Sequence, residues 1–117
     1  MINGIGSTLS GLEAHKKKLN VTANNIANII TDGFKKSRVV FHEGTHGGVE
    51  VDVQKINTPG NPIDYEDGEQ VIHTETSNVD YAEEAVNMII AQRGFEANLK
   101  VLQTEDEILG SILDITI

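Results

Sequence analysis

Residues 81–113, YAEEAVNMIIAQRGFEANLKVLQTEDEILGSIL, decide the fold, because their apolar side chains recur by alternating steps of four and three. One stripe runs through Tyr81, Ala85, Met88, Gln92, Phe95, Leu99, Leu102, Asp106, Leu109 and Leu113. Beside it lies a second, made of Ala82, Val86, Ile89, Ala97, Val101, Ile108 and Ile112. Such spacing belongs to a helix, and two adjacent stripes give it an apolar face wide enough for more than one neighbour. The preceding SNVD, Ser77 to Asp80, has the form of a capping box that would open this helix. About 36 residues at 1.5 Å each span roughly 54 Å, more than a small globule needs.

The other end of the chain repeats the pattern. Ile5, Leu9, Leu12, Lys16, Leu19, Ala23, Ile26 and Ile30 form a four-three stripe interrupted only by Lys16. That periodicity predicts a coiled-coil seam, on a helix over about residues 7–31 with Ser7 as N-cap and Gly33 as its stop. Both prolines, Pro59 and Pro62, fall in the middle of the chain, so the two ends are free of helix breakers. Residues 39–57 and 69–75 read as short strands, joined by a Pro-Gly loop. The expected fold is mainly α: an antiparallel long-helix coiled coil formed by the two termini, with a small β-hairpin-like insert. Residues 1–33 with 77–117 would make the helical assembly part, and residues 34–76 the β-rich insert.

Composition bounds what such a chain can do. Of its 117 residues only three are Phe and two Tyr, with no Trp, which is few aromatics for a core that buries all this apolar surface alone. The absence of cysteine removes disulfide and thiol chemistry. The N-terminal stretch lacks the basic start and apolar run of a cleavable secretory signal, and no segment is long and apolar enough to insert in a membrane. A net charge of −9 argues against nucleic acid as a partner. The charge is unevenly placed: residues 1–38 carry +4 and residues 39–117 carry −13. Opposite ends of this kind attract, within or between chains.

His42-Glu43-Gly44-Thr45-His46 matches the H-E-x-x-H pattern of zinc hydrolases. That chemistry needs a helix, which places both histidines on one face with the Glu as general base. Gly44, Gly47 and Gly48 oppose a helix, and the flanks alternate with a period of two. The stretch therefore reads as strand, turn, strand, with neither metal nor other cofactor expected.

Asn20, Asn24, Asn25 and Asn28 are unusual within a helix, since their amides compete for the backbone. They read either as a polar face with a fraying end or as directed hydrogen bonds to neighbouring chains. The segments ANNIANIITDGFKKS (23–37) and SNVDYAEEAVNMIIAQRGFEANLKVLQTEDEILGSIL (77–113) resemble the bacterial flagellar basal-body rod proteins, a branch of the flagellar axial proteins. The front match comprises Ala23, Asn24, Asn25, Ala27, Asn28, Thr31, Gly33, Phe34 and Lys35. The rear match includes Ser77, Asn78, Val79, Glu83, Asn87, Met88, Ile89, Arg93, Phe95, Glu96, Ala97, Asn98, Thr104 and Leu109.

The resemblance implies a structural subunit rather than an enzyme. It would assemble helically, with itself and other rod subunits, into the axial drive shaft that crosses the periplasm. It also implies passage through the flagellar type III export apparatus without a cleavable signal peptide. The short insert is arranged like that of the proximal rod proteins, while QRGFEAN and TEDEILG in the rear helix look more like the distal type; the proximal type is favoured. Stripes and resemblance together nominate assembly contacts at Ile5, Leu9, Leu12, Leu19, Asn24, Asn25, Ile26 and Asn28 in front. Those at the rear are Ser77, Asn78, Val86, Asn87, Ile89, Phe95, Asn98, Leu99, Leu102 and Leu109. The alternative is a non-flagellar coiled-coil adaptor that binds one partner helix.

Overall fold

A computed structural model describes residues 2–116. Two long helices, α1 (Ile2–Ala27) and α2 (Tyr81–Thr116), enclose four strands in chain order: β1 (Ser37–Glu43), β2 (Val49–Lys55), β3 (Pro62–Asp67) and β4 (Gln70–Glu75). The strands pair as two separate antiparallel hairpins, β1–β2 and β3–β4. The molecule measures 83 × 25 × 18 Å with a radius of gyration of 20.9 Å. A compact chain of this length would have a radius near ~13 Å. The antiparallel helix pair with a small β insert is thus present, stretched along one axis.

α1 begins earlier than its apolar stripe suggests and ends earlier too. Ser7, expected as the N-cap, lies inside the helix, where its carbonyl accepts a 2.7 Å bond from the Ser10 hydroxyl. The helix stops after Ala27 because the asparagines divert its bonding. Asn28 donates its amide to the Asn24 carbonyl at 2.8 Å, and the Asn28 and Ile29 N–H groups bond three residues back instead of four. Gly33 then takes a positive φ of 73°, and its N–H reaches Glu75 O at 2.8 Å. This turns the chain out of the helix and into the insert.

α2 is capped one step away from the expected box. Asp80, immediately before the helix, accepts the Ala82 N–H at 3.0 Å and is the true N-cap. Ser77 instead accepts the Val79 N–H at 3.2 Å in a local turn.

β1 and β2 pair from Ser37↔Lys55 to Glu43↔Val49, which puts Val39, Phe41, Val49, Val51 and Val53 on one face. This hairpin lies on α1, with Phe41 edge-on to His15 at 5.2 Å between ring centroids. At its tip the Ser10 hydroxyl accepts the Val49 N–H at 3.0 Å. His42 belongs to β1 and His46 to the turn, so the helix that H-E-x-x-H chemistry requires is not formed.

Strand β3 occupies part of what reads in the sequence as loop. Pro62 is tolerated as its first residue, where the missing N–H costs least. Gly68, at φ 65°, opens a two-residue turn of the kind that suits hairpin twist. Among the described residues the β3–β4 hairpin packs on neither helix and not on β1–β2. Among the described residues it is tied to the rest of the chain by polar bonds: Gly33 to Glu75, Lys35 to the Glu75 carboxylate, and the Tyr65 hydroxyl donating to Asp32 at 2.6 Å.

Candidate assembly interface

The two helices meet along a seam of small and polar side chains. On α1 it runs Gly4, Thr8, Gly11, His15, Lys18, Thr22 and Asn25; on α2 it runs Glu84, Met88, Ala91, Gly94, Asn98, Leu102, Glu105 and Leu109. Gly4 lies against Glu105, Gly11 against Asn98, His15 against Gly94 and Asn25 against Glu84. Each pair of numbers sums to 109, so the antiparallel register is unbroken. It sets Ile2 opposite Glu107, and α2 continues past that point.

Close approach dictates these residue types. A methyl group on Gly94 would stand 2.3 to 2.7 Å from three atoms of the His15 ring, and one on Gly11 would stand 3.0 Å from the Asn98 amide nitrogen. Ala91 is fully buried between the helices. The Thr8 hydroxyl donates to Gly4 O at 2.9 Å and to Glu105 at 3.0 Å. A second α1 face, carrying Ser10 and Ala14, is covered by β1–β2, and Ala14 is 1% exposed.

Most of the aliphatic side chains that define the helices in sequence are therefore rotated away from the intrachain seam, with Leu12, Met88, Leu102 and Leu109 remaining on its side. Among the expected contacts, Leu12, Asn98, Leu102 and Leu109 turn inward, and Ile5, Leu19, Ile26 and Asn87 sit half-buried at the margins. Leu9, Asn24, Val86, Ile89, Phe95 and Leu99 face out, as do Ile90, Val101, Ile108, Ile112 and Leu113. The helices do pair as an antiparallel coiled coil, but of the Ile and Leu stripe of α1 only Leu12 is buried, with Ile5, Leu19 and Ile26 at the margin and Leu9 and Ile30 outside. Thr, Gly, His and Asn form most of the seam's α1 side, because small or flat side chains let the backbones approach at Gly4, Gly11 and Gly94 while the hairpin covers the neighbouring face.

Asn25, Asn78 and Ser77 have a use inside the chain. Asn25 donates to Ser37 O at 2.9 Å and accepts the Ser37 N–H at 3.1 Å, tying the end of α1 to the start of β1. Asn78 accepts the Lys36 N–H at 2.7 Å and donates to the carbonyls of Ile56 at 2.8 Å and Thr58 at 3.0 Å. It clamps three strands of chain where the insert leaves and rejoins the helices. Asn28 likewise bonds locally, accepting from the Thr31 hydroxyl at 3.1 Å. These bonds run within the chain and not toward a neighbour.

Two titratable groups lie in the seam. Burial raises the Glu84 carboxyl above the usual range, opposed by a hydrogen bond from Asn25. Burial also lowers the His15 imidazole, with Lys18 adding repulsion, which favours the neutral form of the ring beside Gly94. Among the described residues no group of three or more His, Cys, Asp or Glu side chains is placed to hold a metal ion.

The sequence reading missed the seam residues Thr8, Gly11, His15, Thr22, Glu84, Ala91 and Gly94. Their signal is the same four-three spacing as the apolar stripe, one position over and written in small residues.

A 36-residue helix presents most of its aliphatic side chains outward on both sides of its seam, an exposed apolar surface of the kind that marks protein–protein contact. Comparison with known proteins gives the family. Residues 7–35 match the family described as flagella basal body rod protein, and residues 73–115 match flagellar basal body rod FlgEFG protein C-terminal. The chain is 33% identical over 114 residues to the flagellar basal-body rod protein FlgC of Salmonella typhimurium, covering 81% of this chain and 82% of that one. It is 27% identical to FlgC of Borreliella burgdorferi, over 98% of this chain and 97% of the relative. Against the flagellar basal-body rod protein FlgG of Buchnera aphidicola it is 41% identical over 79 residues, 62% of this chain but only 30% of the relative. The chain belongs to the flagellar basal-body rod protein family.

Proposed function

We propose that the chain is a structural subunit of the flagellar basal-body rod, joined to copies of itself and to other rod subunits through the outward stripes of α2. The observation that carries this is Leu99, Val101, Ile108, Ile112 and Leu113 standing exposed on a helix whose inner face is already filled. Full burial of one such side chain contributes about 1.5–3 kcal/mol, so a neighbour laid along the helix gains from several at once. The helical pair, residues 1–33 with 77–117, is the assembling part, and residues 34–76 are the insert. The short insert and the near-complete overlap with FlgC relatives support a proximal position in the rod. The family resemblance further supports export through the flagellar type III apparatus and a place in the periplasmic shaft.

Electron cryomicroscopy of basal bodies isolated from the source bacterium tests the proposal. The expected result is rod density that accepts the helix pair, with the outward face of α2 against a neighbour. Density in which α2 faces solvent along its length would refute it.

A further inference from the structure

A polar cleft lies where α1, the start of β1 and the start of α2 come together. It measures about 190 Å³ and is lined by Lys18, Thr22, Lys36, Arg38 and Glu84, among others. Two of these groups are buried, Thr22 at 3% exposure and Glu84 at 2%. Glu84 Oε2 has no hydrogen-bond partner among the described residues. The cations are also in surplus. Lys36 pairs with Glu83 at 3.2 Å, but neither Lys18 nor Arg38 forms a salt bridge among the described residues. On a chain of net charge −9, this is a local positive site.

The β3–β4 hairpin has the complementary chemistry. Its turn, Asp67-Gly68-Glu69, is exposed, and Asp64 and Glu66 stand exposed behind it. A two-residue turn leaves the N–H groups of Gly68 and Glu69 outside the hairpin ladder. The tip thus offers carboxylates for Arg38 and Lys18. Its own cleft is not where it sits, because the hairpin packs on neither helix and its base is tied to the 32–35 turn.

We infer that the β3–β4 hairpin of one copy docks its acidic turn into the Lys18–Arg38–Glu84 cleft of a second copy. This rests on the rod reading, in which copies stand side by side, and it gives the insert a part in fixing their spacing. The apolar stripes of α2 supply non-directional contact; the charged tip and cleft supply register.

The chain has no cysteine, which makes cross-linking selective. Asn87→Cys on the cleft wall and Gln70→Cys beside the turn leave the charged groups in place; the two variants are prepared separately, mixed under mild oxidation and resolved on a non-reducing gel with mass spectrometry. The expected product is the mixed disulfide in clear excess over the statistical mixture with the two homodimers, diminishing as salt is raised. A statistical mixture, or no cross-link, overturns the docking. As a second measurement, Arg38→Glu should weaken self-association in sedimentation, and adding Glu69→Lys should restore it; loss without restoration overturns the pairing. Sedimentation of the unaltered chain separates the two readings. Continued assembly without the cross-link leaves the rod subunit standing and removes the docking, whereas absence of any assembly removes both.

Discussion

Replacing Gly94 with alanine should destabilise the single chain, although alanine is the better helix former. Removing a glycine from a helix interior gains roughly 1 kcal/mol. Here the added methyl meets the His15 ring at 2.3 Å from Cε1, 2.5 Å from Nδ1 and 2.7 Å from Nε2. The ring has little room to retreat, since Phe41 stands edge-on behind it at 5.2 Å. Either the helices part locally or the ring leaves its site, and overpacking of this kind costs about 1–3 kcal/mol. With three ring atoms inside contact distance the upper part of that range applies, for a net loss of about 1–2 kcal/mol. The decisive comparison is the double variant. With His15→Ala the obstacle is gone, and Gly94→Ala should then stabilise by up to about 1 kcal/mol, reversing its sign. Urea unfolding at low protein concentration, followed by circular dichroism, gives all four stabilities. If Gly94→Ala stabilises equally with and without His15, the seam is loose and the close-approach reasoning fails.

Asn78→Ala should cost about 1–3 kcal/mol, because it strands the Lys36 N–H and the Ile56 carbonyl, whereas Asn24→Ala on the exposed face should be nearly silent in the same urea experiment. Glu84→Gln should stabilise the chain at neutral pH and flatten its pH dependence. Since the folded carboxyl is raised, the wild-type chain is favoured when Glu84 is protonated and loses stability as pH climbs from the ordinary carboxylate range through the folded value; unfolding between pH 4 and pH 8 that shows equal slopes would contradict this. Gly60→Ala should disrupt the junction between β2 and β3, as its methyl would fall 1.9 Å from the Thr76 carbonyl oxygen; an unchanged unfolding midpoint would show that this loop yields freely. Leu99→Ala should leave the monomer's urea midpoint almost unmoved, since the side chain is 48% exposed, while reducing pelleting of assembled protein; monomer unfolding without loss of assembly would reverse the assignment.

Periodicity by itself determined that the chain has two long helices at its ends with a strand-forming insert between them. Four-three spacing and confined prolines are properties of local backbone and side-chain direction, which need no partner to be legible. The turn at Gly44–Gly48 was readable for the same reason: glycines and flanking alternation settle it against H-E-x-x-H. The family was also in the sequence, written in the asparagine-rich turn and the rear helix. The sequence did not decide which helical face meets which. Apolar stripes mark where a helix can be buried, and in an assembling chain several partners compete for them. Tertiary packing settled that contest by distance: Gly11, Ala91 and Gly94 permit an approach that Leu9 or Leu99 would block, so a mainly small and polar seam turned inward and most of the aliphatic side chains outward. Strand β3 was hidden for a related reason, since Pro62, Asp64, Glu66 and Asp67 are poor strand formers one by one and become a strand only by pairing with β4. The bonds of Asn25 and Asn78 join residues 12 to 42 positions apart, a separation no local pattern encodes, and only the folded chain brings those groups within reach.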